Sequence, residues 1–142
     1  MPLLAVALFA ASALPAAAAP PAQTIHVVER ATTDAVTNGS KQDKAGNLLT
    51  WHNKIYDEAN KKQVGRDAGY CIRIVAHKSW ECAWTTFLQG GSIAVQGPFS
   101  DNGGTVLAIT GGTGAYAGAS GFMKLEYHNK KGTAFDFIFH LE

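Results

Sequence analysis

The sequence lacks most of the short motifs that indicate catalysis or metal binding. Its five histidines show no H-x-H or H-x-x-x-H spacing, and its two cysteines have no histidines at zinc-ligand spacing. No G-x-S-x-G elbow is present, so a hydrolase of that kind has no support. The net charge is +1 and no basic patch runs through the chain. We therefore predict no metal, no cofactor and no nucleic-acid partner.

A phosphate-binding loop is absent as well. The glycine-rich run GGTGAYAG at residues 111–118 lacks the Lys-Ser/Thr ending and the following helix of such a loop. It is therefore predicted to be a connection between strands.

Charge is missing from the first twenty residues. An apolar run through Leu14 is followed by small residues up to Ala19, which is typical of a secretory signal peptide cleaved near Ala19. The alternative is a membrane anchor, but the run is short for a span of about 20 residues. We predict a signal peptide over residues 1–19, one domain over residues 20–142, no membrane span after signal removal, and a secreted or periplasmic location.

No convincing helical pattern occurs, whereas eight runs have the composition of short strands. They are residues 24–31, 47–56, 69–76, 80–88, 92–97, 105–110, 121–128 and 133–141. The segment 32–46 is predicted to be a loop, and 57–67 a loop or one helical turn. Such a chain indicates an antiparallel barrel or a sandwich. Several strands are apolar on both faces, so we expect a homo-oligomer, a dimer or a trimer.

The two cysteines fall in a predicted hairpin. If the turn centres on Ala76 and His77, Cys71 and Cys82 lie opposite each other at close to disulfide separation. A shift of one residue would place them on opposite faces. An exported chain permits the bond, and the sequence leaves disulfide and free thiols open.

Arg73 shares a strand face with Cys71. If that face points inward, Arg73 needs a buried partner, for which Glu29 is a candidate. The interpretation we favour is the opposite one, in which Arg73 faces solvent or a subunit contact and the inward residues are Tyr70, Ile72 and Ile74.

The segment 93–125 resembles the central part of the allene oxide cyclases. The AVQGP turn, the LAITGGTG run and the GxxGxxKL ending carry this resemblance, and the GGTG run also resembles the dirigent proteins. Upstream, WHNKIY at 51–56, AGYCIRI at 68–74 and IHVVE at 25–29 are similar to cyclase segments. The resemblance covers nearly all of the predicted domain. It implies an all-β fold, a single eight-stranded antiparallel β-barrel.

The resemblance also implies a site. In the plant cyclases a hydrophobic barrel pocket binds an unstable fatty-acid epoxide, and a buried glutamate with an ordered water guides ring closure. By position, Glu29 would be the catalytic carboxylate and Asn53 a catalytic polar group that holds the water. Trp51 and Cys71 would be pocket-wall residues. The aromatic residues that we add as candidate substrate-binding groups are Trp84, Phe99 and Phe137.

Three positions depart from the cyclase pattern. The cyclases have asparagine where this chain has Ala31, a Ser-Pro pair that residues 32–46 lack, and tyrosine where it has Phe99. We predict a cofactor-free isomerase or cyclase that steers ring closure of a small hydrophobic, unsaturated substrate. The alternative is a non-catalytic barrel that binds a lipophilic ligand or guides stereochemistry as dirigent proteins do. A third alternative is a structural oligomer whose barrel is filled by side chains.

Overall fold

Ten β-strands and no helix make up the part of the chain that the structure, a computed structural model, describes: residues 22–36 and 42–142. The predicted signal peptide lies outside the described residues. The strands are β1 Gln23–Arg30, β2 Ala35–Val36, β3 Leu48–Trp51, β4 Lys54–Asp57, β5 Gln63–Val75, β6 Ser79–Leu88, β7 Gly91–Ser100, β8 Thr105–Gly114, β9 Gly121–Tyr127 and β10 Ala134–Leu141. Within these ranges, no helix has the length and hydropathy needed to cross a membrane.

The strands form one antiparallel sheet that closes on itself. Its order is β2-β3-β5-β4-β1-β10-β9-β8-β7-β6, and a further β5–β6 pairing joins the ends. Only His52 and Asn53 separate β3 from β4. The strands β3 and β4 both pair with β5, so together they act as one interrupted strand. With β3 and β4 counted once and the two-residue β2 set aside, eight strands close the barrel. The predicted eight-stranded antiparallel barrel is confirmed.

Several strands differ in extent from the prediction. β5 begins at Gln63, inside the segment predicted as a loop or helical turn, because its polar side chains face water while alternate residues face inward. β8 continues to Gly114, since a bulge opposite Ala94 and Val95 places Gly111 at φ 155°, a conformation that glycine tolerates. β2 lies inside the predicted loop 32–46 and pairs with β3.

Alternating apolar residues line the inside of the barrel. Phe135, Phe137 and Phe139 follow one another along the inner face of β10, and Met123 and Leu125 do so along β9. Each large apolar side chain buried in this way contributes roughly 1.5–3 kcal/mol to folding. The inner face is therefore set by the period-two pattern that the sequence displays.

The hairpin of β5 and β6 contains the disulfide that the sequence left open. Cys71 pairs directly with Cys82, their Cα atoms are 4.0 Å apart, and the two sulfurs are bonded. A bulge between Arg73 and Val75 accommodates the turn. Both cysteines are buried in the barrel.

The favoured orientation of Arg73 was wrong. Arg73 is buried, at 7% exposure, whereas the residues predicted to face inward are exposed: Tyr70, Ile72 and Ile74. The interior accepts the guanidinium because Asp43 and Asp101 bind it at 2.8 and 2.6 Å. Its carbon also lies 3.8 Å from the centre of the Trp80 ring. Glu29, the partner considered from the sequence, is not among these contacts.

Candidate functional site

A cavity of about 450 Å³ opens at one end of the barrel. Because neighbouring strands are antiparallel, three turns meet at this end: β5–β6, β7–β8 and β9–β10. The segment after β1 and the segment before β3 lie there as well. Asp34, Asp101 and residues 130–132 line its rim. The volume lies within the range of about 300–1,000 Å³ that is usual for ligand pockets. A barrel filled by its own side chains, the third alternative, does not fit this cavity.

Aromatic rings and the disulfide form most of the wall. The centre of the Trp84 ring lies 5.8 Å from that of Trp51 and 5.4 Å from that of Phe137. The ring centres of Phe99 and Phe135 are also 5.8 Å apart. Every residue predicted to bind substrate lines the cavity: Trp51, Cys71, Trp84, Phe99 and Phe137. Their role in binding stays a prediction. Trp84 also carries a buried indole N–H without a hydrogen-bond partner among the described residues.

Glu29 reaches the cavity from β1, and a second carboxyl group lies behind it. Glu29 is buried at 5% exposure and lines the cavity, whereas Asp67, on β5, has no exposed surface. The two carboxyl groups are close enough to affect each other, since Asp67 raises the pKa of Glu29 and Glu29 lowers that of Asp67. The structure thus contains a buried carboxyl pair of which only Glu29 faces the cavity.

Neutral donors hold this pair in place. Asn53 donates from Nδ2 to Glu29 Oε1 at 2.8 Å, and from its main-chain N to Asp67 Oδ1 at 3.1 Å. Trp51 donates from Nε1 to Asp67 Oδ2 at 3.0 Å. Each carboxyl group therefore has a fixed orientation.

Burial and mutual repulsion change how the pair titrates. Burial raises the pKa of Glu29 well above its ordinary value, and the negative charge of Asp67 raises it further. Burial also raises the pKa of Asp67, to about 6, although hydrogen bonds from Trp51 and Glu29 oppose that rise. Asp34 contributes a smaller repulsion to both groups. Burial and mutual repulsion therefore favour the protonated form of each carboxyl group relative to the same group in water, and Glu29 is the member that faces the cavity.

Asn53 lies behind Glu29 and is not among the residues that line the cavity. It occupies the break between β3 and β4. Its Oδ1 accepts hydrogen bonds from the main-chain N of Thr32 and Thr33, both at 3.0 Å, and its Nδ2 also donates to Asp34 at 2.8 Å. These contacts suit a residue that positions Glu29 and closes the strand break. The predicted catalytic role of Asn53 stays a prediction.

Asp67 is the site residue that the sequence analysis missed. It falls at the end of a segment predicted to be a loop or a helical turn. One signal could have found it: β5 extended backwards by the period of two from Cys71 passes through Gly69 to Asp67. The inward face of Cys71 is therefore also the face of Asp67.

The rim of the cavity is charged. Lys130 and Lys131 lie in the β9–β10 turn, and Asp34 and Asp101 belong to neighbouring segments. Asp101 is bound by Arg73 and accepts a hydrogen bond from Trp80 Nε1 at 3.1 Å. Within residues 22–36 and 42–142, no group of three or more His, Cys, Asp or Glu side chains is arranged to hold a metal ion.

The family of this barrel follows from a direct comparison. The model of the family described as allene oxide cyclase matches residues 21–138, most of the chain. The chain belongs to the allene oxide cyclase family. The resemblance carried by residues 93–125 is thereby confirmed, and the glutamate of IHVVE in this family member is the Glu29 that faces the cavity.

Solved structures with several functions share the fold of this allene oxide cyclase family member. A pyocyanin demethylase superposes with a TM-score of 0.70 at 22% identity, over 84% of this chain and 100% of its own. A pterocarpan synthase dirigent protein gives 0.73 at 16% identity, over 96% and 100%. An exo-specific intermolecular Diels-Alderase gives 0.66 at 14% identity, over 84% and 97%. At these identities the likeness establishes the fold alone.

Proposed function

We propose that this protein is a cofactor-free isomerase or cyclase that acts on a small hydrophobic, unsaturated substrate by proton transfer from Glu29. One observation carries the proposal: Glu29, a buried carboxyl group whose pKa is raised by burial and by the charge of Asp67, faces an aromatic cavity. A carboxyl group with a raised pKa is suited to act as a general acid near neutral pH.

The proposed reaction returns the catalyst to its starting state. Glu29 gives its proton to an oxygen or a π bond of the bound substrate, which becomes cationic. The Trp84 and Phe137 rings stabilise that cation through their faces and confine the substrate to a folded conformation. Ring closure follows, and the product loses a proton to the Glu29 carboxylate. No proton or electron is gained or lost overall, in keeping with an isomerisation.

The cavity agrees with the substrate class in size and character. It is large enough for one molecule of moderate size, and its wall is mostly aromatic and aliphatic. The family name refers to cyclisation of allene oxides, so a fatty-acid allene oxide is the first substrate to test.

The second candidate function is a non-catalytic barrel that binds a lipophilic ligand or guides the stereochemistry of a reaction. The aromatic wall favours it, because rings that surround a ligand can fix its conformation without a titrating group. The two candidates make different predictions for Glu29→Gln, which removes the proton but keeps the shape of the side chain.

The test generates a fatty-acid allene oxide in the assay and measures the enantiomers of the cyclopentenone product by chiral chromatography. We expect the wild type to enrich one enantiomer and Glu29→Gln to return the racemic mixture while still binding a stable fatty-acid analogue. Enrichment that persists in Glu29→Gln contradicts the proposal and supports the stereoguiding barrel. If the wild type gives a racemic product, this substrate is excluded, and native mass spectrometry of protein from the producing cell identifies the ligand to try next.

A further inference from the structure

Asp67 is a buried carboxyl group that is not paired with a cation. Its side chain has no exposed surface, and among the residues that the structure describes no lysine, arginine or histidine forms an ion pair with it. Burying a carboxyl group in this way is costly unless hydrogen bonds compensate it. Packing alone therefore does not explain why a carboxyl group is buried at this position.

The β3–β4 break supplies the compensation. Trp51, the last residue of β3, donates to Oδ2 at 3.0 Å, and the main-chain N of Asn53 donates to Oδ1 at 3.1 Å. The main chain of Asp67 is fixed as well, because its N donates to the oxygen of Asn53 at 3.0 Å. All these donors are neutral, so they orient the carboxylate and leave its charge uncancelled.

The Glu29 side chain also acts on Asp67, and each of the two carboxyl groups changes the pKa of the other. Glu29 Oε1 accepts from Asn53 Nδ2 at 2.8 Å, which leaves its other oxygen to carry the proton toward Asp67. Ionised Asp67 is thus placed to accept the O–H of Glu29 and to oppose its ionisation. Asp67 does not line the cavity, so it acts on a ligand only through Glu29.

We propose that Asp67 is a positioning residue that retains a proton on Glu29 and sets the pH range in which the site is active. This inference rests on the proposed function in assigning the acid role to Glu29. When Glu29 gives up its proton, both carboxyl groups of the pair are charged. That charge attracts the cationic intermediate and favours return of the proton to Glu29.

The charged and titratable groups around Glu29, apart from Asp67, lie on the segment after β1 and along the rim and wall of the cavity. Asp34 faces it from the segment after β1, while β4 and β10 present Ile55 and Phe135 beside it. The remaining charged or titratable residues that line the cavity are farther along the rim or wall: Asp101, Tyr127, Lys130 and Lys131. Asp34 is therefore the matched control, because it is the other carboxyl group that raises the pKa of Glu29, and it does so less than Asp67.

The experiment follows the Glu29 carboxyl carbon by NMR across pH 4 to 9 in protein labelled at glutamate, with Glu29→Gln to assign the signal. We expect Asp67→Asn to lower the pKa of Glu29 by about one unit or more, roughly tenfold in proton affinity. Asp34→Asn should lower it by less. An unchanged titration in Asp67→Asn, or an equal or larger shift in Asp34→Asn, would overturn the proposal.

A second variant covers the case in which Asp67→Asn does not fold. Trp51→Phe removes the donor to Asp67 Oδ2 and disfavours the ionised form, so the lower of the two pKa values of the pair should rise. If the smaller of the two pKa values is the same in Trp51→Phe as in the wild type, the proposal is contradicted. These titrations need no substrate, so a carboxyl pair that behaves as expected in a protein without cyclase activity would separate this inference from the proposed function. In an active protein, the alkaline limb of kcat/KM in Asp67→Asn should shift to lower pH with the Glu29 pKa.

Discussion

Glu29 is a carboxyl group that folding removes from water and places beside a second carboxyl group. Its raised pKa means that the folded protein binds a proton that the unfolded chain releases above pH 4.5. The contribution of Glu29 to stability therefore falls as the pH rises from 4.5 through the folded pKa. Such a loss of stability is typical of sites where function needs a strained or buried group.

Replacement of Glu29 by glutamine tests this cost. The amide donates to Asp67 and accepts from Asn53 as the protonated acid does, but it has no proton to lose. We expect Glu29→Gln to match the wild type near pH 4 and to exceed its free energy of unfolding by about 1–3 kcal/mol at pH 8. Urea unfolding at the two pH values measures the difference, with the exposed Glu126→Gln as the control. A variant no more stable than the wild type at pH 8 would show that Glu29 is ionised without penalty.

Asn53 permits a test of opposite sign. Asn53→Asp replaces the Nδ2 donor with an oxygen that faces Glu29 and Asp34. We expect a loss of roughly 2–4 kcal/mol at pH 8 and a smaller loss at pH 5, where carboxyl groups of the cluster are protonated. Thermal unfolding at both pH values measures it. Asn129→Asp, in the β9–β10 turn, likewise loses an Nδ2 donor but faces the Thr133 hydroxyl instead of carboxyl groups, so it should change stability far less. Equal losses at the two pH values would contradict the electrostatic explanation.

The sequence predicted these residues unequally. Glu29 and Asn53 were identified because their short segments match the cyclases by position. Asp67 was missed because its neighbours are polar and the start of β5 shows no apolar alternation. Arg73 was oriented wrongly because apolar Ile72 and Ile74 suit an inward face, whereas two aspartates from distant loops decide the matter. Contacts between loops far apart in sequence are not visible in a single-strand pattern.

At the scale of elements, the strands were predictable and their ends were not. Alternating β-branched and aromatic residues identified the strands that close the barrel. The break between β3 and β4 depends on the side chain of Asn53, and the extension of β8 depends on a glycine bulge. Both features come from single residues that a period-two pattern does not weigh.

The disulfide makes a prediction at this scale. Cys71 and Cys82 are separated by 11 residues and join β5 to β6 beside the cavity. Closing a loop of that size stabilises the fold by about 2–3 kcal/mol. Reduction should therefore lower the free energy of unfolding by that amount, which is seen as a lower urea midpoint. The Cys71→Ala, Cys82→Ala double variant should not respond to reductant. A wild-type midpoint that reductant leaves unchanged would mean that the bond adds no stability.

For the whole molecule, the outer face of β5 bears on the predicted homo-oligomer. Tyr70, Ile72 and Ile74 expose 49%, 43% and 53% of their surface on one face of the strand. Apolar surface that is contiguous and exposed is typical of subunit contacts. The oligomer stays a prediction.

Ile72→Lys tests the oligomer by placing a charge at the centre of that face. We expect light scattering after size-exclusion chromatography to give a dimer or a trimer for the wild type and a monomer for Ile72→Lys. Lys124→Ala, on β9, is the control and should leave the mass unchanged. A monomeric wild type at high concentration, or an Ile72→Lys variant with the wild-type mass, would contradict the prediction.

The central claim is that Glu29 keeps its proton at neutral pH while it faces the cavity. The most direct measurement is the infrared difference spectrum between the wild type and Glu29→Gln at pH 7. The account predicts a carbonyl band of a protonated carboxylic acid in the wild type that is absent from Glu29→Gln. A spectrum in which the substitution removes only carboxylate bands would contradict it.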